Sequence, residues 1–328
     1  MRPGRRASAL EKEGNGPGSQ FALSPDRPRR VCQRYNSPMQ TRPSRLYLPK
    51  FEGAPQTIFE YLLARFPQVG ESVWRERIAR GAITMSDGSA LEEHSPYRYG
   101  ITVFYRKEVS SEPQAREEPV IIYRDSNILI ADKPHGMPVT PSGEYVERSM
   151  LVRLQAMTGL PDLDPMHRLD HDTAGLLLFA IDRDARRHYH MLFAEGRIER
   201  EYMAVAHAPD PLHSAHWRIE NRIVQGEPWY RQQIVEGSVN AITETRLACL
   251  RSGFGWFNLF PRTGKKHQLR VHMASIGCPI VGDPFYPTIT GKRDGVPPLQ
   301  LLARRLAFID PLTGAARDFV SKRELLFQ

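Results

Sequence analysis

Segments with the character of β-strands follow one another closely between residues 200 and 261, and few helical segments separate them. These segments are "REYMAVAH", "HWRIENRI", "ITETRLACL" and "WFNLFP". Antiparallel neighbours in a sheet need only a short turn, whereas parallel neighbours need a crossover of about a dozen residues or more, usually a helix. The pattern therefore predicts an α+β protein with a mixed, mainly antiparallel sheet, and it argues against a doubly wound parallel sheet.

Residues 120–328 carry the same mixture of elements on both sides of this region, so we interpret them as one domain. Strands are predicted at "VIIYRD", "NILIADKP", "GLLLFA" and "QLLARRLAFIDP", and helices at "SMLVRLQAMTGL", "DRDARRHYHMLFAEGRI" and "KKHQLRVHMASIG". The chain contains neither GxGxxG nor GxxxxGK[ST]. A fold built around a nucleotide cofactor therefore lacks support.

Residues 46–108 are predicted to form a smaller, separate module. "TIFEYLLARFP" has apolar residues at helical spacing, with Thr57 as a plausible N-cap. A second helix in "VWRERIARGAITMSDGSAL" ends near Gly81, and a short strand and a turn follow it. "YGITVFYRKEV" is a further strand. Residues 109–119 are polar and bounded by proline, which is typical of a linker.

The first 45 residues are predicted to be a disordered basic tail. They are rich in Arg, Pro, Gly and Ser, lack hydrophobic periodicity, and hold ten Lys or Arg against three Asp or Glu. The remaining residues hold 35 Lys or Arg and 34 Asp or Glu, so the net charge of +8 lies almost entirely in the tail. The tail is either an arm that contacts nucleic acid or sequence upstream of a true start at Met39.

Cysteine usage and hydropathy bear on the compartment. No segment reaches the roughly 18 uncharged apolar residues that a membrane helix needs, and the N-terminus lacks an apolar signal core. Cys32, Cys249 and Cys278 are odd in number and form no CxxC pair, which favours a reducing compartment. We therefore expect a cytoplasmic protein that does not contact a membrane.

The segment "PMHRLDHDTAGLLLFA" concentrates polar groups directly before an apolar strand. His167, His171 and the neighbouring aspartates could be metal ligands, but no second cluster of this kind completes a coordination shell. The chain contains no GxSxG turn, so hydrolysis by a Ser-His-Asp triad lacks support. A single aspartate could instead be a nucleophile, provided that a fixed cation, best an arginine, aims its carboxylate. The residues by themselves leave the metal site and the nucleophilic aspartate open.

"HRLDHDTAGLLLF" resembles the catalytic signature of the RluA-type pseudouridine synthases, commonly HRLDxxTSG followed by an apolar strand. Three further segments resemble motifs of the same family in the same order: "ILIADKPHGMPVTPSG", "REYMAVA" and "TGKKHQLRVHMASIGCPIVGDPFY". The module at residues 46–108 resembles the small RNA-binding domain that precedes many RNA-modifying catalytic domains. Two positions depart from the family pattern, because Ala174 replaces a usual Ser and Lys265 a usual Arg.

The resemblance implies an RNA pseudouridine synthase that isomerises uridines in structured RNA without a cofactor or metal. Asp170 would be the nucleophile that detaches uracil, and Arg270 would pair with it. Tyr202 would stack on the uracil and could take the final ring proton. Lys133 is expected to support the loop of the site. The substrate would be a stem-loop of large-subunit ribosomal RNA or of tRNA, and the enzyme is expected to act as a monomer.

Because a uridine in folded RNA must be extruded to react, the protein also needs to hold the RNA backbone and the flipped nucleotide. The residues that we expect to do so are basic or imidazole side chains near the motifs or on the N-terminal module. They are Arg168, His167, Lys265, His267, Arg186 and Arg187, together with Arg75, Arg77 and Arg80. Two alternatives remain, a catalytically inactive RNA-binding protein on the same fold and a metal-dependent hydrolase built on residues 167–172.

Overall fold

The structure is a computed structural model of the chain. It describes residues 44–51, 55–67, 69–105, 112, 117–142, 145–208, 214–290 and 295–326. These residues fall within one compact unit that spans Thr41–Gln328. Residues 1–43 of the basic tail predicted at 1–45, the alternative start at Met39 and most of the predicted linker at 109–119 lie outside the described residues. The prediction of disorder is wrong for the last two residues of the tail, because they belong to the strand Ser44–Tyr47.

The first described elements form a small three-stranded sheet with two helices. The elements are β1 (Ser44–Tyr47), α1 (Ile58–Arg65), α2 (Glu71–Ala79), β2 (Ile83–Thr84) and β3 (Thr102–Tyr105), and the strand order is β1-β3-β2. The predicted N-cap of α1 is confirmed, because the Thr57 side chain accepts a hydrogen bond from the Glu60 amide. The helices pack on the sheet through a single cluster of buried residues that includes Ile58, Trp74 and Val103.

Eleven strands of the described residues form one large sheet. They are β4 (Val120–Arg124), β5 (Ile128–Lys133), β6 (Asp164–Pro165), β7 (Ala174–Ala180), β8 (Ile198–His207), β9 (His216–Gln225), β10 (Gln232–Val235), β11 (Ala241–Arg251), β12 (Phe254–Pro261), β13 (Leu301–Ile309) and β14 (Ala316–Val320). Three helices accompany them: α3 (Met150–Thr158), α4 (Arg186–Ala194) and α5 (Gln268–Ser275).

The strand order in the large sheet is β10-β9-β11-β12-β8-β13-β7-β5-β4, with β14 beside β13 and β6 beside β7. The β7–β13 pair is parallel, and the other pairs among the described strands are antiparallel. The predicted α+β class with a mixed, mainly antiparallel sheet is confirmed. None of the helices in the described part of the chain has the length and apolar character needed to span a bilayer.

Strand β7 is apolar throughout because both faces of the sheet are covered at this point. All seven of its residues are buried. Leu177 and Phe179 pack in a cluster with residues of α3, whereas Leu176 and Leu178 pack in a second cluster with residues of α4. A strand buried on both faces reads as a continuous hydrophobic segment and not as an alternating one. The loop that precedes β7 is therefore attached to the most rigid part of the domain.

Gly175 allows β7 to approach β13 closely at the end of that loop. Its φ is +116°, and a Cβ at this position would lie 2.3 Å from the carbonyl oxygen of Ala303. Gly175 and Ala303 are opposite each other in the parallel pair. Any side chain here would both strain the backbone and push the two strands apart.

We expect Gly175→Ala to lower the free energy of unfolding by about 3 kcal/mol, because it combines a disfavoured φ with backbone overlap. Urea unfolding of the purified protein measures the change. Gly70→Ala is the matched control, since Gly70 has a φ of −58° and the nearest atom to an added Cβ is 3.9 Å away. An equal loss of stability in both variants would contradict the close approach at β7.

Candidate active site

The loop between β6 and β7 carries the polar cluster, and its first part is fastened to β7. The amide of Leu178 donates a hydrogen bond of 3.1 Å to Nε2 of His167, and the amide of Met166 donates to the Leu178 carbonyl at 2.8 Å. His167 also stacks on Phe193 of α4. Burial lowers the pKa of His167 to about 3, so the ring is neutral and its hydrogen lies on Nδ1. His167 therefore stabilises the conformation of the loop.

The second part of the loop is fastened by the residues that follow β5. Nζ of the buried Lys133 donates hydrogen bonds to the carbonyls of Pro134, Met137 and His171 at 3.0, 2.6 and 2.9 Å. Nδ1 of His135 lies 2.7 Å from the carbonyl oxygen of Asp172. Burial lowers the pKa of Lys133 to about 7, although the charges of nearby aspartates oppose the shift. Lys133, which we expected to support the loop of the site, thus contacts the backbone of that loop directly.

Asp170 lies between these two attachments and is paired with Arg270 of α5. Nη1 of Arg270 donates to Oδ2 of Asp170 at 3.2 Å, although the residues are 100 positions apart in sequence. The Arg270 side chain is 2% exposed. Burial opposes its charge, but hydrogen bonds and charges from Asp283 and Asp170 outweigh burial and raise the pKa of Arg270. A permanent positive charge therefore lies beside the Asp170 carboxylate.

Asp283 holds the opposite side of the same guanidinium, and the sequence motifs did not predict a role for it. Its carboxylate accepts from Nε and Nη2 of Arg270 at 2.8 and 2.7 Å, and also from the Phe285 and Tyr286 amides. The guanidinium lies over the rings of Phe285 and Tyr286. The segment "GDPFY" contains this aspartate, and its pairing with Arg270 could have been predicted from it. A buried arginine that pairs with one carboxylate needs a second group to satisfy its remaining donors.

His267, at the N-cap of α5, faces Asp170 from another side. Its Nε2 lies 3.9 Å from Oδ2 of Asp170, and its Nδ1 lies 3.0 Å from the Tyr286 hydroxyl. That hydroxyl already accepts the Gln232 amide hydrogen, so its own hydrogen is available to Nδ1. This arrangement places the ring hydrogen of His267 on Nε2, towards Asp170. Burial lowers the pKa of His267 to about 4, so the ring is neutral near pH 7.

An open cleft of about 620 Å³ lies in front of this carboxylate. Residues from several segments line it, among them Arg168, Tyr202, Lys265 and His267. Tyr202 of β8 is 8% exposed, and its hydroxyl has no hydrogen-bond partner among the described residues. Burial raises the pKa of Tyr202 above the ordinary value for a phenol. Arg168 and Lys265 are exposed at the cleft.

The other basic residues singled out from the sequence do not line the cleft. Arg186 pairs with Asp164 and donates to the Asp162 carbonyl, and Arg187 contacts the neighbouring His188. In the N-terminal module, Arg75 pairs with two glutamates, and Arg77 lies over the Trp74 ring. Arg80 follows α2 and is exposed. The structure thus brings Asp170, Arg270, Tyr202, Arg168, His167, Lys265 and His267 together and leaves the other five outside.

Metal binding was the open alternative for the polar cluster. Within the described part of the chain, no group of three or more His, Cys, Asp or Glu side chains is placed to hold a metal ion. The Asp170 carboxylate instead lies beside a guanidinium, at 3.2 Å, and a neutral imidazole, at 3.9 Å. The surroundings of Asp170 are therefore those of a carboxylate paired with a cation.

Comparison with known proteins relates this geometry to a family. The family model for RNA pseudouridylate synthase matches residues 127–275. The chain is 31% identical over 210 residues to the dual-specificity RNA pseudouridine synthase RluA of Haemophilus influenzae, covering 62% of this chain and 93% of that protein. It is 27% identical over 286 residues to the ribosomal large subunit pseudouridine synthase D of Xanthomonas campestris, covering 78% and 82%.

Solved structures show the same fold. The human RNA pseudouridylate synthase domain containing 1 protein superposes with a TM-score of 0.54 at 23% sequence identity, covering 65% of this chain and 86% of that chain. The human RNA pseudouridylate synthase domain containing 4 protein superposes with a TM-score of 0.50 at 25% identity, covering 62% and 88%.

Because buried histidines are neutral in the folded protein, we expect the free energy of unfolding to decrease in acid. Burial lowers the pKa of His272 to about 4, below its value of about 6.5 in an unfolded chain. The unfolded state therefore binds this proton more strongly, and the free energy of unfolding falls as the pH falls below about 6.5. His272 by itself contributes about 2 kcal/mol to the decrease between pH 7.5 and pH 5.

The variant His272→Gln should shrink this decrease by about that amount, because Gln does not titrate and can still donate to Asn221. Urea unfolding at the two pH values measures the difference. Substitution of the exposed His94 by Gln is the control and should leave the decrease unchanged. A decrease of the same size in His272→Gln and in the unsubstituted protein would show that His272 is not buried in its neutral form.

Proposed function

The chain belongs to the RluA-type pseudouridine synthases and is an RNA pseudouridine synthase, and from that premise we propose that Asp170 is the nucleophile of uridine isomerisation. The observation that carries the proposal is the buried Arg270, which is held by Asp283 on one side and donates to Asp170 on the other, at the cleft. A fixed guanidinium aims the Asp170 carboxylate and keeps a positive charge beside it.

The reaction breaks the bond between N1 of uracil and C1′ of ribose and forms a bond between C5 and C1′. The hydrogen on C5 leaves and N1 gains one, so substrate and product contain the same atoms and no oxidant or reductant is consumed. The Asp170 carboxylate forms a bond to the target nucleotide while the uracil turns, and that bond breaks again before the product leaves, so the enzyme is regenerated unchanged. The attachments of its loop to β7 and to Lys133 keep the carboxylate in place during that turn.

Tyr202 is proposed to stack on the uracil from the wall of the cleft. Its phenol group, like that of an ordinary tyrosine, is protonated near pH 7, and burial raises its pKa further. A protonated phenol suits stacking and hydrogen-bond donation. His267 is proposed to face the same Asp170 oxygen that Arg270 holds, so that the other oxygen is directed to the substrate.

RNA is proposed to enter past the exposed basic residues of the cleft. Arg168 has no hydrogen-bond or ion-pair partner among the described residues, which leaves its guanidinium available to hold the extruded nucleotide or its neighbours. Lys265 would contact a phosphate as a point charge. Residues 46–108 are proposed as an RNA-binding module in which Arg75, Arg77 and Arg80 face the RNA phosphates.

The proposed substrate is a structured RNA stem-loop. One relative named above is a ribosomal large subunit enzyme, so ribosomal RNA is the first substrate to test, and tRNA is the second substrate that the family resemblance implies. Residues 120–328 would form the catalytic domain, and the protein would act as a monomer without a cofactor or metal.

We expect Asp170→Asn to abolish pseudouridine formation, a loss of more than about 1,000-fold, because an amide is not nucleophilic. RNA affinity should stay within several-fold of the unsubstituted protein. Pseudouridines are mapped in total cellular RNA from a strain that lacks the gene, after incubation with purified protein in EDTA. The exposed Asp184 provides the control, because Asp184→Asn removes an equal charge outside the cleft.

Substantial turnover by Asp170→Asn would show that Asp170 is not the nucleophile. Pseudouridine formation by the unsubstituted protein in EDTA excludes both alternatives, since neither a metal-dependent hydrolase nor an inactive RNA-binding protein forms pseudouridine. The map of modified sites also names the substrate.

Asp283→Asn should lower kcat about 100-fold through misplacement of Arg270, while KM changes less than about threefold. The substitution also leaves a buried guanidinium less well paired and lowers the free energy of unfolding by about 3 kcal/mol. Thermal unfolding establishes that the variant is folded under assay conditions. A variant of Asp283 with kcat equal to that of the unsubstituted protein would contradict the positioning role.

A further inference from the structure

Trp229 is a large aromatic residue in the loop between β9 and β10, and it is 70% exposed. It contributes nothing to the hydrophobic core clusters, so folding does not account for a tryptophan at this position. Exposed aromatic residues beside a functional cleft are typical of binding surfaces.

A series of ring contacts connects Trp229 to the candidate active site. Its ring centroid lies 5.9 Å from that of Tyr230, and the Tyr230 centroid lies 5.2 Å from that of Phe285. Phe285 in turn stacks on His267, with 5.8 Å between the ring centroids and 22° between the planes. His267 faces Asp170. The exposed tryptophan is therefore three ring contacts away from the imidazole beside the proposed nucleophile.

The β9–β10 loop is anchored, so that Trp229 has a defined position relative to the cleft. Nη2 of Arg231 donates to the Pro287 carbonyl at 3.0 Å, and its guanidinium lies 5.0 Å from the Tyr286 ring centroid. The Gln232 amide donates to the Tyr286 hydroxyl at 2.7 Å. Because the same Tyr286 hydroxyl contacts His267, the loop and the site share one support.

A cation accompanies the exposed ring. Nζ of Lys266 lies 5.7 Å from the centroid of the Trp229 ring, and Lys266 is itself exposed. The next residue towards the N-terminus, Lys265, lines the cleft. An aromatic face with an adjacent ammonium group matches the chemistry of an unpaired nucleotide, which presents a flat base and a phosphate.

We propose that Trp229, supported edge-on by Tyr230 with 79° between the ring planes, is a stacking platform for an unpaired base of the RNA substrate, and that Lys266 binds a phosphate next to that base. The inference rests on the proposed function, since the base is the one that adjoins the extruded uridine. Extrusion unstacks the neighbours of the target nucleotide, and an aromatic platform beside the cleft recovers part of the stacking that is lost. The positive charges at Lys265 and Lys266 favour RNA over an apolar protein partner.

Three variants test the platform. Trp229→Ala should raise the RNA dissociation constant about tenfold and leave kcat at saturating RNA within about twofold, because one stacked base is lost. Trp229→Phe keeps an aromatic face and should stay within about threefold. Ile309→Ala is the control, since Ile309 is 60% exposed at the opposite end of β13 from Leu301, which lines the cleft. It should bind RNA as the unsubstituted protein does.

Two probes are used. The first is a synthetic stem-loop that carries the uridine mapped in total RNA, with and without an abasic site at each neighbouring nucleotide. The abasic site next to the platform should weaken binding to the unsubstituted protein and not to Trp229→Ala. The second is a single-stranded oligoadenylate with one 2-aminopurine, whose fluorescence reports stacking. The unsubstituted protein should quench it, and Trp229→Ala should not.

An unchanged dissociation constant in Trp229→Ala overturns the proposal, and a protein partner then becomes the occupant to test. Equal losses in Trp229→Ala and Trp229→Phe also overturn it, because an aromatic face would not be what matters. A fall in kcat with unchanged affinity overturns it in favour of an effect on His267. Thermal unfolding should show equal stability for all variants, because Trp229 is exposed.

Asp170→Asn separates this proposal from the proposed function. That variant should quench 2-aminopurine like the unsubstituted protein although it is inactive. If Asp170→Asn is active and Trp229→Ala still loses stacking, the nucleophile assignment fails and the platform stands. If Asp170→Asn is inactive and Trp229→Ala binds normally, the platform fails and the nucleophile stands.

Lys266→Gln tests the phosphate contact independently. Removal of one phosphate contact should reduce the slope of log affinity against log salt concentration by about 0.7 for a single-stranded RNA. The oligoadenylate titrated at several salt concentrations provides the slope. An unchanged slope would show that Lys266 only packs on Trp229 and does not bind a phosphate.

Discussion

The buried ion pairs of Arg270 are the interaction on which the rest of the site depends. A guanidinium that is 2% exposed is tolerated only if its donors are satisfied, and Asp283 and Asp170 satisfy three of them in two directions. The pairs join α5, the segment after α5 and the loop before β7. Asp170 consequently meets its cation only when these distant segments have folded together.

The remaining structure holds Asp170 in front of that cation. Strand β7 is covered on both faces, and Gly175 lets it lie close against β13, so the end of the loop is fixed. His167 and Lys133 fasten the rest of the loop through backbone atoms. Since none of these contacts occupies the Asp170 carboxylate, the rigidity of the loop does not reduce access from the cleft.

Sequence patterns predicted local structure correctly where the pattern has a direct physical cause. The apolar segment of β7 and the cap at Thr57 are examples, because burial on two faces and an orphan amide each demand a particular residue type. The short strands β6, β10 and β14 were not predicted, since they are stabilised by their neighbours in the sheet and not by their own composition. From the sequence, Arg186 could face solvent, and only the tertiary structure shows that it pairs with Asp164.

The sequence by itself determined the family, the fold class and the identity of Asp170, Tyr202 and Arg270 as the residues to examine, because ordered motifs and strand spacing are local properties of the chain. The tertiary structure decided which groups act on Asp170. It added Asp283 as the partner of Arg270, placed His267 3.9 Å from the carboxylate and connected the site to Trp229. The physical reason is that charge compensation and ring stacking depend on distances across the fold, and spacing along the chain does not encode those distances.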